Sequence, residues 1–143
     1  HSYSHPHMNT LNEQGIGYEL QKNNDLIQDL TGQRTTLFRP PFGEYNNQVI
    51  SVASALGYHT IQWSVDSLDW KNLTSNQIYD RVMDQIEPGS IVLFHNAAPG
   101  TPGAIRRLIP DLLAKGYEIV PISSLLHKGD YYIDHAGSQH PGK

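Results

Sequence analysis

Three histidines near the start of the chain could bind a metal ion. His1 and His5 are four residues apart in the segment HSYSHPH, and His7 follows closely. Imidazole nitrogens are ordinary ligands of zinc and related metals, and this short spacing allows two of them to converge on one ion. Two ligands hold zinc poorly, so another group would have to join them. Two other interpretations stay open: a solvated loop with incidental histidines, or a purification tag.

Further reactive side chains follow short apolar segments of the chain. Arg39 follows TTLF, Asp69 comes soon after the apolar run that ends at Val65, and His95 follows IVLF. In parallel α/β folds the carboxyl ends of the strands carry the chemistry. His95 could serve as general acid or base, Asp69 could orient a histidine, and Arg39 could fix a carboxylate. The plainer alternatives are a packed core histidine, a turn aspartate and a surface ion pair.

Composition excludes several classes of function. The 143-residue chain has a formal charge of -4, and its ten Lys and Arg residues are scattered, so no nucleic-acid-binding surface is predicted. No apolar run reaches the roughly 20 residues that cross a bilayer, so no transmembrane segment is predicted. Cysteine is absent, which excludes disulfides and thiolate catalysis. A neutral or mildly polar substrate fits this charge balance.

Hydrophobic periodicity predicts helices that alternate with short strands. Helices are predicted over 12–30, around 49–56, from Ser75 as the N-cap through Ile86, and around 105–112. Strands are predicted over 36–38, 59–65, 90–94 and 117–120. This alternation is typical of a parallel α/β sheet, and its repetition favours a (β/α) barrel that is incomplete here. Residues 1–126 are predicted to form the domain, and residues 127–143 an irregular C-terminal extension.

Four segments taken in order resemble known motifs. HSYSHP, RPPFG, DSLDW and LFH are similar to the second to fifth motifs of the polysaccharide deacetylases, carbohydrate esterase family 4. The later segment GYEIVPISSLL resembles the end of that family's domain. The resemblance is to sporulation-type and peptidoglycan-type bacterial members. It implies a distorted (β/α) barrel of the polysaccharide deacetylase type, here missing its N-terminal strand or strands.

The resemblance implies a metal site and a general acid. His1 and His5 would bind a divalent metal, zinc first, with cobalt, nickel or manganese as alternatives, and His7 would be a neighbour. Asp69 would tune His95. His95 would then protonate the leaving amine after attack by a metal-bound water.

The same resemblance implies the substrate contacts. Arg39 would hold the catalytic aspartate of the family's first motif. The backbone N–H of Phe42 would stabilise the oxyanion, although the family usually has Tyr at this position. Trp70 and Leu93 would line the pocket that receives the acetyl methyl group.

The family's first motif, an Asp-Asp pair that supplies the base and a metal ligand, has no counterpart in this sequence. Asp25 and Asp29 cannot replace it, because they lie on a predicted helix. A deletion and a degenerate protein are two explanations. We favour a third, a complementary N-terminal fragment that carries the pair and stays bound, because an unfinished sheet would expose unpaired strand edges.

Together these features predict a metal-dependent hydrolase that removes N-acetyl groups from polysaccharide containing N-acetylglucosamine, such as peptidoglycan or chitin oligomers. The alternatives are an inactive glycan-binding fragment and an O-acetyl xylan esterase of the same family. By resemblance, the protein is expected outside the cell or at the cell wall of a bacterium.

Overall fold

A computed structural model describes residues 1–142 of the chain. These residues form two compact units, which divide between Gln62 and Trp63. In both units helices alternate with short parallel strand pairs, as the predicted α/β class requires. Within the described residues, no helix is long and apolar enough to cross a membrane.

The first unit contains two helices and two short parallel strands. Helix α1 spans Glu13–Thr31, β1 spans Leu37–Phe38, α2 spans Asn47–Ala55 and β2 spans His59–Thr60. The Asn12 side chain caps the start of α1 by accepting a hydrogen bond from the Gly15 N–H. Gly32 ends α1 at a φ of 72°, a left-handed conformation that glycine adopts without strain. The helix predicted over 12–30 is therefore confirmed.

One apolar cluster holds the first unit together. Its buried members come from the helices, from β1 and from the segments beside them: Met8, Ile16, Leu20, Phe38, Val49, Ala53 and Tyr58. Fully burying a side chain of the Leu or Phe class contributes roughly 1.5–3 kcal/mol. Phe38 directly precedes Arg39 and the two prolines, so its burial fixes where that turn begins.

The second unit contains two helices, a parallel strand pair and a hairpin. Strand β3 spans Val65–Asp66, α3 spans Ser75–Gln85, β4 spans Val92–Leu93, α4 spans Thr101–Ala114, β5 spans Tyr131–Ile133 and β6 spans Gln139–Pro141. β3 and β4 are parallel, with Asp66 opposite Leu93. The buried core joins α3, α4 and β3 through Val65, Ile78, Val82, Ala104, Leu108 and Leu112.

The start of α3 corrects one sequence prediction. Thr74, not Ser75, is the N-cap: its hydroxyl accepts from the Gln77 N–H, and the Gln77 side chain accepts from the Thr74 N–H. This capping box satisfies two backbone N–H groups at the helix start. The Ser75 hydroxyl instead donates to the Gly100 carbonyl at 2.8 Å. Ser75 therefore joins the start of α3 to the start of α4.

Two strand predictions also differ from the structure. The strand predicted over 59–65 is divided, because the Ile61 N–H bonds to the Phe38 carbonyl whereas the Ser64 N–H bonds to the Ile91 carbonyl. The chain thus changes its pairing partner in the middle of the apolar run. The segment 117–120 pairs with no strand among residues 1–142 and forms none, since a strand needs a neighbour for its backbone groups.

The tail that was predicted to be irregular contains the antiparallel β5–β6 hairpin. Asp134 organises its turn: the carboxylate accepts from the N–H groups of Ala136 and Ser138 and lies 2.7 Å from Nε2 of His140. The hydrogen bond from His140, followed by that from Ser138, lowers the pKa of Asp134 to about 2. The domain boundary at residue 126 stays a prediction.

Candidate functional site

The second unit brings Asp69 and His95 together as a hydrogen-bonded pair. Oδ1 of Asp69 lies 2.7 Å from Nδ1 of His95. The Asp69 side chain is fully buried, whereas 37% of the His95 side chain is exposed. Because an ionised carboxylate only accepts hydrogen bonds, Nδ1 of His95 must carry the proton. Nε2 is then the ring nitrogen that can exchange a proton with a substrate.

The second carboxylate oxygen of Asp69 is also hydrogen-bonded. Oδ2 accepts from the His95 backbone N–H at 2.8 Å and from the Thr101 hydroxyl at 2.6 Å. Burial by itself raises the pKa of Asp69, but the bonds from His95 and Thr101 outweigh burial and leave the pKa below its usual value. The carboxylate therefore stays ionised and holds the imidazole in one orientation.

Strand topology explains how the sequence positions this pair. β3 and β4 are parallel neighbours, so the residues that follow them emerge at the same edge. Asp69 begins a short 3₁₀ turn after β3, and its N–H donates to the Ser67 hydroxyl at 3.3 Å. Leu68, just before it, has a φ of 52°, which turns the chain sharply. The predicted proximity of Asp69 and His95 follows from these two strand ends.

Trp70 and Leu93 occupy different environments in this unit. Trp70 follows Asp69 in the 3₁₀ turn and is 54% exposed, with the Lys71 ammonium 5.2 Å from its ring centroid. Leu93 lies in β4 and is buried. An exposed indole can stack on a sugar face. The pocket role of both residues stays a prediction.

The first unit holds His1 and His5 side by side. Their ring centroids are 4.9 Å apart in an edge-to-face arrangement, and both residues are exposed. Nδ1 of His1 lies 2.7 Å from the Arg39 carbonyl oxygen. A carbonyl oxygen only accepts, so Nδ1 of His1 is the protonated nitrogen and Nε2 keeps the lone pair that a metal would need. His5 has a φ of 57°, and its N–H donates to the Ser2 hydroxyl at 3.1 Å.

These two imidazoles fit part of a metal site. His1 has the tautomer expected of a metal ligand: Nδ1 is held by the hydrogen bond to the Arg39 carbonyl, and Nε2 is left to bind the ion. Within residues 1–142, however, no three His, Asp or Glu side chains gather closely enough to hold an ion. The donor set therefore matches two ligands of a larger site and needs at least one more.

The RPPFG turn lies beside the histidine segment. Phe42 has a φ of 58° and is 56% exposed, and its ring contacts His5 edge-on at 4.7 Å and stacks on His7 at 4.3 Å between centroids. Nδ1 of His7 lies 3.0 Å from the Glu44 carboxylate. Arg39 is half-buried, and this burial lowers the pKa of its guanidinium. The oxyanion role of Phe42 and the carboxylate-holding role of Arg39 stay predictions.

Sequence reasoning missed Glu19, which anchors the histidine segment. Its buried carboxylate accepts from the Ser4 N–H at 2.7 Å and from the Ser4 hydroxyl at 2.6 Å. Burial raises the pKa of Glu19, but hydrogen bonds from Ser4, Ser2 and Tyr3 outweigh burial and lower the pKa overall. A signal was available, because Glu19 lies on the same buried face of α1 as Ile16.

We expect Glu19→Gln to destabilise the fold by about 1–3 kcal/mol near neutral pH, because the amide cannot accept all of these bonds. Since the folded pKa of Glu19 is lowered, the carboxylate's contribution is present above its unfolded pKa and is lost as pH falls through its folded pKa. The difference in free energy of unfolding between the variant and wild type should therefore shrink as the pH falls. Urea unfolding at several pH values measures this.

Asp25→Asn is the matched control, since Asp25 is an exposed acid on the same helix. It should change the free energy of unfolding little near neutral pH. A Glu19→Gln variant that is as stable as wild type at neutral pH would contradict the anchoring role.

Known proteins are similar to this chain over most of its length. A family model described as polysaccharide deacetylase matches residues 1–61. Peptidoglycan-N-acetylglucosamine deacetylase of Bacillus cereus is 31% identical over 129 residues, which cover 87% of this chain and 47% of that protein. Bifunctional xylanase/xylan deacetylase of Cellvibrio japonicus is 38% identical over 117 residues, 81% of this chain and 18% of that protein.

A solved structure is similar as well. The crystal structure of a CE4 family pseudoenzyme from Bacillus anthracis has a TM-score of 0.84 and 38% identity, and the match covers 87% of this chain and 44% of that one. This likeness confirms the predicted fold class. A match of that extent also reaches well into the second unit, beyond the family-model match. The chain spans less than half the length of each of these three proteins.

Proposed function

Because the chain belongs to the polysaccharide deacetylases of carbohydrate esterase family 4, we propose that it carries the metal-binding histidines and the general acid of a polysaccharide N-deacetylase. The observation that supports this most directly is the hydrogen bond between the buried Asp69 carboxylate and Nδ1 of the partly exposed His95. The proposed reaction is hydrolysis of the N-acetyl group of an N-acetylglucosamine residue in a polysaccharide.

His95 supplies the proton for the leaving amine. Amide hydrolysis needs such a proton, because an unprotonated amine leaves very poorly. Asp69 accepts the hydrogen bond from Nδ1 of His95 and so leaves Nε2 as the ring nitrogen that carries the transferable proton. Nε2 then delivers its proton to the amine nitrogen as the bond to the carbonyl carbon breaks. Trp70 and Leu93 are the proposed walls of the pocket for the acetyl methyl group.

His1 and His5 are the proposed protein ligands of a divalent metal, zinc first. Such an ion, when bound, would polarise the acetamide carbonyl and favour deprotonation of a water. The Arg39 carbonyl orients His1, and the Arg39 guanidinium is suited to hold a carboxylate base. The Phe42 N–H is the proposed second donor to the oxyanion.

The base and the missing metal ligand are proposed to come from a complementary segment that carries an Asp-Asp pair. Support comes from the donor set, since His1 and His5 have no third ligand within residues 1–142. The chain covers less than half of each of these relatives, so each relative is long enough to contain such a segment as well.

The proposed substrate is bacterial peptidoglycan, with the enzyme acting outside the cell or at the cell wall. The Bacillus cereus relative is a peptidoglycan-N-acetylglucosamine deacetylase. Xylan is the alternative substrate, because the relative from Cellvibrio japonicus includes a xylan deacetylase. The chain's formal charge of -4 suits either glycan better than a polyanion.

A second candidate function is glycan binding without hydrolysis. It is favoured by the 38% identity to a CE4 family pseudoenzyme and by the exposed indole of Trp70. In this case, chito-oligomers would bind to the folded protein and Trp70→Ala would weaken the binding, but no acetate would be released.

The test is acetate release by this chain after co-expression with an N-terminal deacetylase segment that carries the Asp-Asp pair. We expect zinc-dependent acetate release from chito-oligomers or peptidoglycan and loss of release with a chelator. The same segment with both aspartates changed to asparagine is the matched control and should give none. A folded complex that binds oligomers without releasing acetate supports the binding function instead. Release from acetylated xylan alone would indicate the esterase.

A further inference from the structure

Thr101 makes a buried contact with the proposed acid pair. It is the first residue of α4, it is 7% exposed, and its hydroxyl donates to Oδ2 of Asp69 at 2.6 Å. We propose that Thr101 is a positioning residue for Asp69 and His95, an inference that rests on the proposed role of His95 as general acid. Thr101 acts through Asp69 and touches no reacting atom.

The hydrogen bonds divide cleanly between the two oxygens of Asp69. Oδ1 faces the His95 ring, and Oδ2 accepts from the His95 backbone N–H and from Thr101. The backbone bond alone would allow the carboxylate to rotate about it. The Thr101 hydroxyl adds a second hydrogen bond to Oδ2 from a different direction, and the two bonds together fix the plane of the carboxylate. Only in that plane does Oδ1 point at Nδ1 of His95.

Thr101 can act in this way because its own position is rigid. The Thr101 N–H bonds to the Ala98 carbonyl at 3.1 Å, and the preceding Gly100 carbonyl accepts from the Ser75 hydroxyl. A β-carbon on Gly100 would collide with the Leu73 carbonyl oxygen, so the loop lies directly against the backbone before α3. The packed starts of α3 and α4 therefore set where the Thr101 hydroxyl points.

A merely structural role would make a different prediction. If Thr101 only contributed to stability, its loss would lower the free energy of unfolding and leave the His95 ring unchanged in the folded protein. Positioning requires a change at the ring itself, because a freed carboxylate holds the Nδ1 proton less firmly. The nitrogen chemical shifts of His95 report which ring nitrogen is protonated and thus separate the two roles.

The experiment compares wild type, Thr101→Val and Thr101→Ser by nitrogen NMR of the ¹⁵N-labelled chain at a pH where the imidazole is neutral. In wild type the Nδ1-protonated tautomer should dominate. Thr101→Val removes the donor and keeps the shape, so a clear population protonated at Nε2 should appear. Thr101→Ser keeps the hydroxyl and should restore the wild-type spectrum. Thr101→Ala serves in place of the valine variant if the latter does not fold.

Thr60→Val is the matched control. Its hydroxyl is buried without a hydrogen-bond partner among residues 1–142, so its removal breaks no hydrogen bond of the Asp69–His95 pair and should leave the His95 shifts unchanged. A folded Thr101→Val variant with wild-type His95 shifts would overturn the proposal. Failure of Thr101→Ser to restore those shifts would overturn it as well.

A kinetic arm applies to the complex with the Asp-Asp segment. There Thr101→Val should lower kcat about 10-fold with little change in KM, as is usual for a group that orients a catalytic side chain. An unchanged kcat would overturn the proposal. If wild type releases no acetate while the NMR change is present, the proposed function fails but the positioning of His95 by Thr101 stands.

Discussion

Replacing His95 with alanine should lower the rate of acetate release by about 10²–10⁴-fold, the usual contribution of a general acid. The reason is specific to the leaving group, because an amine must be protonated before the carbon–nitrogen bond can break. KM should change little, since the imidazole contacts the nitrogen mainly in the transition state. The measurement is acetate release from chito-oligomers by the complex with the Asp-Asp segment, as a function of pH.

The matched control for this prediction is His127→Ala. His127 is an exposed histidine outside the proposed site, so its loss should leave kcat and KM near the wild-type values. Full activity in the His95→Ala variant would reject His95 as the acid. A loss confined to KM would reject it too, because it would indicate a role in substrate binding alone.

Replacing Gly100 with alanine should destabilise the protein by about 1–3 kcal/mol, the usual cost of forcing an extra carbon into a packed site. The added carbon would meet the Leu73 carbonyl oxygen and the Ile78 side chain, and the Ser75 backbone nitrogen is close by. A backbone oxygen cannot rotate away as the end of a flexible side chain can. The starts of α3 and α4 would therefore have to separate. Urea or thermal unfolding monitored by circular dichroism measures the change.

Gly17→Ala is the matched control, and it should raise the free energy of unfolding instead of lowering it. Gly17 lies inside α1, and a β-carbon there meets nothing within 4 Å. Alanine at such a position stabilises a helix by roughly 0.5–1 kcal/mol relative to glycine. If both variants shifted stability in the same direction and by the same amount, the packing explanation for Gly100 would be wrong.

The helices were the part of the fold that the sequence predicted best. α1 carries both of its boundaries locally, with Asn12 before it and Gly32 after it. The strands were predicted less well, because pairing depends on residues far away in the chain. No local feature of the 59–65 run indicates that its backbone hydrogen-bond partner changes from Phe38 to Ile91.

The site shows the same contrast between local and distant information. The pairing of Asp69 with His95 was predictable, since both follow apolar strands that a parallel fold places side by side. The sequence does not point to Thr101 or Glu19, because each has an ordinary explanation as a helix residue. Only the folded chain brings the Thr101 hydroxyl to Asp69 and the Glu19 carboxylate to Ser4.

The close packing of α4 against the backbone before α3 has a consequence for how the proposed activity would be lost. The Thr101 hydroxyl, which donates a hydrogen bond to Asp69, lies in the first turn of α4. That turn stays close to the start of α3 because the Ser75 hydroxyl binds the Gly100 carbonyl and because Gly100 has no side chain to separate the two backbones. Any solvent condition that loosened this helix pair would free the carboxylate that orients His95, the proposed general acid, while both helices were still intact. Inactivation by mild denaturant would then precede the loss of helical signal.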